Sequence, residues 1–158
     1  MEDIVSKTKA DYVRAKDRII QILTTTPDDK LNWAPSPTAR TPIQLVAHSA
    51  DAVGNILTLL QGRGSIDFTD IPKLDARLRA SDREYTTKEQ VLALLDTNSA
   101  AFLAFLDALT PEKLSSTMMG AWEAPMTVAI GFPADHMRGH IAQMEYVQTI
   151  WGDHDWYM

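Results

Sequence analysis

Apolar residues in this chain recur every three or four positions in four separate stretches, and nowhere alternate as they would along a strand. That period is helical, so the chain must bury four apolar stripes against one another rather than the face of a sheet. The first stripe is Ile4, Thr8, Tyr12, Ala15, Ile19 and Leu23, with Lys7, Lys9, Arg14 and Asp17 mostly off it. The run TTTPDDK ends this helix, because Pro27 disfavours helix at the residue before it. The second predicted helix starts at Thr41-Pro42, with Gln44 three residues after the cap, and runs to about Gln61 before Gly62. The third opens with another capping box, Thr87 and Gln90, and carries Val91, Leu95, Asn98, Phe102, Phe105 and Leu109 on one stripe. The fourth lies within Met126–Trp151 and stops at Gly152. Pro133 interrupts it, so this helix either kinks there or restarts after Phe132.

The connections set the topology. Residues 31–41 and 111–125 read as loops, whereas residues 62–85 form a long link in which LDARLRA is a short helical turn. An antiparallel hairpin of helices needs only about 2–8 residues. A link of 24 residues can travel the length of a bundle and start the next helix in the same direction. The expected fold is therefore all-α: a four-helix bundle in which the helix 2–helix 3 connection is a long crossover and helices 2 and 3 are parallel. The 158 residues fit one domain.

Composition narrows the function. A net charge of −6 argues against nucleic-acid or anionic-membrane binding, both of which call for an excess of Lys and Arg. No window is read as approaching the roughly 20 apolar residues of a membrane span, and MEDIVSKTKADY lacks the apolar core of a signal peptide. The expectation is a soluble, cytoplasmic protein. The chain has no cysteine, which excludes disulfides, thiolate ligands and a Cys nucleophile. A glycine-rich phosphate loop, GxSxG, HExxH and the Glu-x-x-His pairs of di-iron bundles are all absent as well. Any catalysis would have to be done mainly by a metal.

The stretch PADHMRGHIAQMEY places His136 and His140 four residues apart, on one face of a helix. Such a pair can ligate one divalent ion or can simply face solvent. His48, in QLVAHSADAVGN, shares its helix face with Leu45, Ala52 and Leu59. It is either a core histidine hydrogen-bonded to a neighbour or a third ligand, should helices 2 and 4 be neighbours. Three neutral imidazoles suit Zn, Ni, Fe or Cu and leave an open coordination position.

The loop Trp33-x-Pro35-x-Pro37, the Thr41-Pro42 helix start, one His in the second helix, HxxxH in the last helix and the tail HIAQMEYVQTIWGD together resemble the DinB/YfiT-like superfamily. The resemblance runs from about Ile4 to Asp155. It implies a four-helix bundle with helices 2 and 3 parallel, a divalent metal held by His48, His136 and His140, and a homodimer. It also implies a metal-dependent enzyme of small-molecule chemistry. Some members are thiol-dependent transferases or isomerases, for which the thiol would be a low-molecular-weight cosubstrate. A metal-dependent hydrolase is the other enzymatic version. A non-catalytic bundle that binds a ligand or partner, with a structural metal or none, is the competing class.

Other residues have open roles. Asp51 and Asn55 lie along the face of His48. Asp51 is a weak catalytic candidate: a carboxylate orienting an imidazole, a fourth ligand, a general base, or a polar residue at a helix edge. Asp135 points away from His136 and reads as surface. Asn98 either fixes the register between helices or faces a pocket. Trp33 and Trp122 either wall a pocket over the metal or plug the bundle end. Glu123 is given no role, and His154 reads as solvated.

Overall fold

The computed structural model describes residues 2–120 and 123–157, and Trp122 lies outside them. Four long helices make the bundle: α1 (Glu2–Thr25), α2 (Pro42–Leu60), α4 (Lys88–Asp107) and α7 (Phe132–Ile150). Between them lie α3 (Ile71–Asp82) in the crossover, the single-turn helices α5 (Pro111–Leu114) and α6 (Met126–Ala129), and a two-stranded antiparallel ribbon of β1 (Thr117–Met118) and β2 (Ala124–Pro125). The ribbon and α5 occupy the stretch read from sequence as a plain loop.

The capping chemistry decides where α2 and α4 begin. Thr41 accepts from the Gln44 backbone N–H while the Gln44 side chain accepts from the Thr41 N–H, and Thr87 and Gln90 repeat the arrangement. Each box satisfies two backbone donors that the helix itself leaves without partners. Gly62 and Gly152 follow the ends of α2 and α7 with φ of 71° and 91°, a conformation glycine adopts without strain. Pro133 restarts the last helix rather than kinking it. Its ring falls in the first turn of α7, where a missing N–H costs no helical hydrogen bond, and α6 is a separate turn before it.

Contacts between helices give the directions. Lys88 at the start of α4 donates to the Thr26 carbonyl just past α1, and Asn32 donates to the Thr86 carbonyl. The N–H of Ile43, at the start of α2, donates to the Leu31 carbonyl. Both α2 and α4 thus leave from the end where α1 finishes, and they run parallel. Tyr12–Ser99 and Lys16–Asp96 pair α1 antiparallel to α4, whereas Asp11–Arg138 and Arg18–Glu145 pair α1 parallel to α7. The crossover exists because α2 and α4 share a direction. Its central part is a twelve-residue helix, longer than the single turn expected, capped by Asp70, whose side chain accepts from the Lys73 N–H.

The core joins Tyr12, Ile19 and Leu23 of α1 to Val46, Val53 and Leu60 of α2, Leu95 and Phe102 of α4, and Met137 and Met144 of α7. Contrary to the sequence reading, α2 is by length and composition apolar enough to cross a membrane. However, 61% of that stretch is buried inside the bundle, which accounts for its apolarity as that of a core helix. The α4 stripe is also rotated from the expected one: Ser99 and Leu106 are buried, while Asn98, Phe105 and Leu109 lie at its margin. The reason is tertiary, since Ser99 hydrogen-bonds Tyr12 at 2.6 Å and can therefore enter the core, while Asn98 donates to the Ala50 carbonyl at 2.9 Å and ties α4 to α2.

The two phenylalanines of α4 should accordingly differ. Phe102 is fully buried with its ring edge-on to Tyr12 at 4.8 Å, so Phe102→Ala is expected to cost about 3–5 kcal/mol in urea denaturation. Phe105→Ala should cost well under half of that. Equal losses would contradict the observed rotation of α4.

Candidate metal centre

His48 stands in the second turn of α2, and His136 and His140 one and two turns into α7. Because α2 and α7 pack against each other, three residues from two distant segments meet. Their ring centroids are 5.3 Å apart for His48–His136, 4.9 Å for His48–His140 and 4.6 Å for His136–His140. One nitrogen from each lies within 4.8 Å of the others. The Nε2 atoms of His136 and His140 are 3.1 Å apart. Two nitrogens sharing a tetrahedral ion at about 2.0–2.1 Å sit roughly 3.3 Å apart, so this pair already has the required spacing.

Proton placement favours ligation. The Nδ1 of His140 donates to Gln143 Oε1 at 2.8 Å, which leaves its Nε2 a free lone pair beside His136. His48 Nδ1 lies 3.4 Å from Asp82 Oδ1, so its other nitrogen is free to face the cluster. Burial first, then the charges of His140, His48 and Arg40, pushes His136 down to about 4. Burial likewise lowers His140, against the opposing hydrogen bond from Gln143. Neutral imidazoles are the form that binds a metal, and the lowered basicity of His136 and His140 favours that form, so the three converging rings fit a divalent ion held by nitrogen.

Asp82, at the end of α3, is the residue that sequence reasoning missed. Its side chain is only 2% exposed, and Arg40 Nε donates to its Oδ2 at 2.7 Å. The guanidinium compensates a carboxylate that would otherwise be costly to bury. The other oxygen, Oδ1, faces His48 Nδ1, and neither atom has a well-aligned hydrogen bond. A carboxylate behind a ligand imidazole fixes the ring's tautomer and direction. Among the described residues Asp82, and not Asp51, is the carboxylate within ion-pair distance of His48. The only signal in the sequence was an Asp closing a helix whose start and length were not recognised.

Asp51 instead lines a cavity of about 440 Å³ that opens beside His48 and His136. Ser81 donates to its Oδ2 at 3.0 Å, and burial, the largest influence, raises its carboxyl above the usual range. Asn55 lines the same cavity. Asp51 is outside the close-set ligand group, which among the described residues holds the three histidines alone. Asp135 pairs with Arg138 on the surface, and Glu123 and His154 are exposed. Trp33 packs edge-on against Trp151 at 5.9 Å, plugging the bundle end rather than walling the cavity.

The sequence profile of the DinB superfamily matches residues 11–144. Among solved structures, the chain is similar to YfiT from Bacillus subtilis, described as a probable metal-dependent hydrolase with an unusual four-helix bundle topology. That match has a TM-score of 0.71 and 20% identity over 94% of this chain and 87% of YfiT. A conserved protein from Enterococcus faecalis aligns with a TM-score of 0.72 and 17% identity, over 92% of this chain and 95% of that one. No protein of curated function matches the chain.

The lowered basicity of His136 has a measurable consequence in metal-free protein. The unfolded chain takes up this proton near 6.5, whereas the folded chain does so only near 4. Between those values the unfolded state binds more protons, so stability must fall as pH drops through the window and be insensitive to this group above it. Chelator-treated protein should show that fall in its denaturation midpoint, and His136→Leu should flatten it. Parallel curves for the two proteins would contradict the assignment.

Proposed function

The chain belongs to the DinB superfamily, and from that premise we propose that His48, His136 and His140 hold one divalent ion (zinc, nickel or iron) in a cytoplasmic enzyme acting on a small molecule. The observation that carries the proposal is the convergence of three imidazole nitrogens within 4.8 Å at the edge of a cavity large enough for an organic substrate. A homodimer belongs to the same reading, with Tyr146, Ile150 and Trp156 as exposed apolar residues toward the C-terminal end.

An ion held there supplies Lewis acidity toward a substrate or nucleophile at its open position. The remaining work falls to side chains. Asp82, neutralised by Arg40, keeps His48 turned inward, and Gln143 does the same for His140. Asp51 faces the cavity from the helix that carries His48, and burial raises its carboxyl, which makes it a stronger proton acceptor than a solvated aspartate. Leu59, Ile66 and Leu78 give the cavity an apolar surface that fits an apolar body.

Two nucleophiles suit this arrangement. Water gives a hydrolase, the reading supported by the description of YfiT. A low-molecular-weight thiol gives an S-transferase or isomerase. The absence of cysteine means that such a thiol would arrive as a cosubstrate, and the apolar cavity wall would accept one. In both, Asp51 takes the proton of the incoming nucleophile.

Aryl-ester hydrolysis, and transfer of a small thiol to an aryl halide, should be assayed with each metal restored to chelated protein. Turnover should require the metal, and Asp51→Asn should lower kcat by about 100-fold or more without changing metal content or melting temperature. Whichever assay responds identifies the nucleophile. Turnover indifferent to chelation would contradict the metal's role. A metal-loaded protein inert in both assays would favour the binding-module class.

A further inference from the structure

Resting on that reading of the metal centre, the cavity beside it also specifies what kind of molecule it takes. Leu74, Arg77 and Leu78 are spaced i, i+3, i+4 on α3 and line the cavity together, so one face of the crossover helix roofs it. The facing wall has an apolar stretch, with Ile56 and Leu59 from α2 and Ile66 from the preceding loop, beside the polar Asn55 and Thr58. Apart from the histidines, the ionisable side chains lining it among the described residues are Asp51 and Arg77. Ser81 holds Asp51 one turn farther along α3. The neighbouring arginines Arg40 and Arg79 are committed to Asp75 and Asp82. Arg77, exposed at the rim of this cavity, has no carboxylate within ion-pair distance among the described residues, although it flanks the apolar side chains of Leu74 and Leu78.

We propose that the substrate is a carboxylic acid with an apolar body, anchored by its carboxylate on Arg77 and presenting its reacting end to the three imidazoles. A guanidinium matches a carboxylate in charge and in its two-pronged hydrogen-bonding geometry. A phosphate dianion suits the site less well, since one guanidinium would have to balance two charges in a cavity that also holds Asp51. The apolar wall between the two ends takes the carbon skeleton. Because the anchor sits on α3 and the imidazoles on α2 and α7, such a substrate would bridge the crossover helix and the bundle.

The probes are alkyl hydroxamates of graded chain length bearing a terminal carboxylate, each compared with its methyl ester. The hydroxamate chelates the metal, so only the far end differs. At the best length, calorimetry on metal-loaded protein should show the acid binding about tenfold more tightly than the ester, the strength of a charge-assisted contact at a partly solvated site. Arg77→Gln should abolish that preference, and Arg77→Lys should retain part of it. Equal binding of acid and ester at every length, or a preference that survives Arg77→Gln, overturns the carboxylate anchor. His48→Ala separates the two readings, because it should weaken acid and ester alike while leaving their ratio intact. A preference for the acid with no effect of His48→Ala would keep the anchor and count against the metal centre. Binding of neither probe to wild-type protein overturns the cavity as a substrate site.

Discussion

The buried carboxylate of Asp82 joins the parts of this molecule that matter for its chemistry. It sits between the Arg40 guanidinium and the His48 imidazole, and it belongs to a helix that exists only because α2 and α4 run parallel. A simple up-down-up-down bundle would need no such crossover, and α3 would have no reason to cross α2. Here α3 lies over α2, lowers Asp82 behind His48, brings Ser81 to Asp51 and roofs the cavity with Leu74 and Leu78. A charge buried this deeply is tolerated only with a compensating partner, and Arg40 is the one that Asp82 depends on.

The three imidazoles come from two long helices, and the roof of the cavity comes from the crossover. His136 and His140 are fixed by the helical repeat of α7, and their 3.1 Å nitrogen spacing needs only a suitable rotamer. The position of His48 relative to them depends on how α2 packs against α7, and its ring direction on α3.

Much of this was legible before any coordinates. The capping boxes at Thr41–Gln44 and Thr87–Gln90 placed two helix starts correctly, because a cap is a local interaction among four residues. The length of the 62–85 link pointed to parallel α2 and α4 through simple reach. What was illegible depended on tertiary partners. Ser99 looks like a surface residue until Tyr12 bonds to it, and Asn98 looks central until it is seen bound to the Ala50 carbonyl at the margin. Asp82 and Arg77 lie in a polar stretch whose pattern is weakly amphipathic, so it reads as one helical turn and nothing in it marks Asp82 as buried. The three histidines were visible as candidates, but their convergence required knowing that α2 and α7 are neighbours.

The most direct test of the metal centre is elemental analysis of untagged protein beside a His48→Ala variant. The account predicts about one divalent ion per chain in the wild type and its loss in the variant, with the helical content of both unchanged. Equal metal content in the two proteins, or none in either after incubation with zinc, nickel and iron, would contradict it.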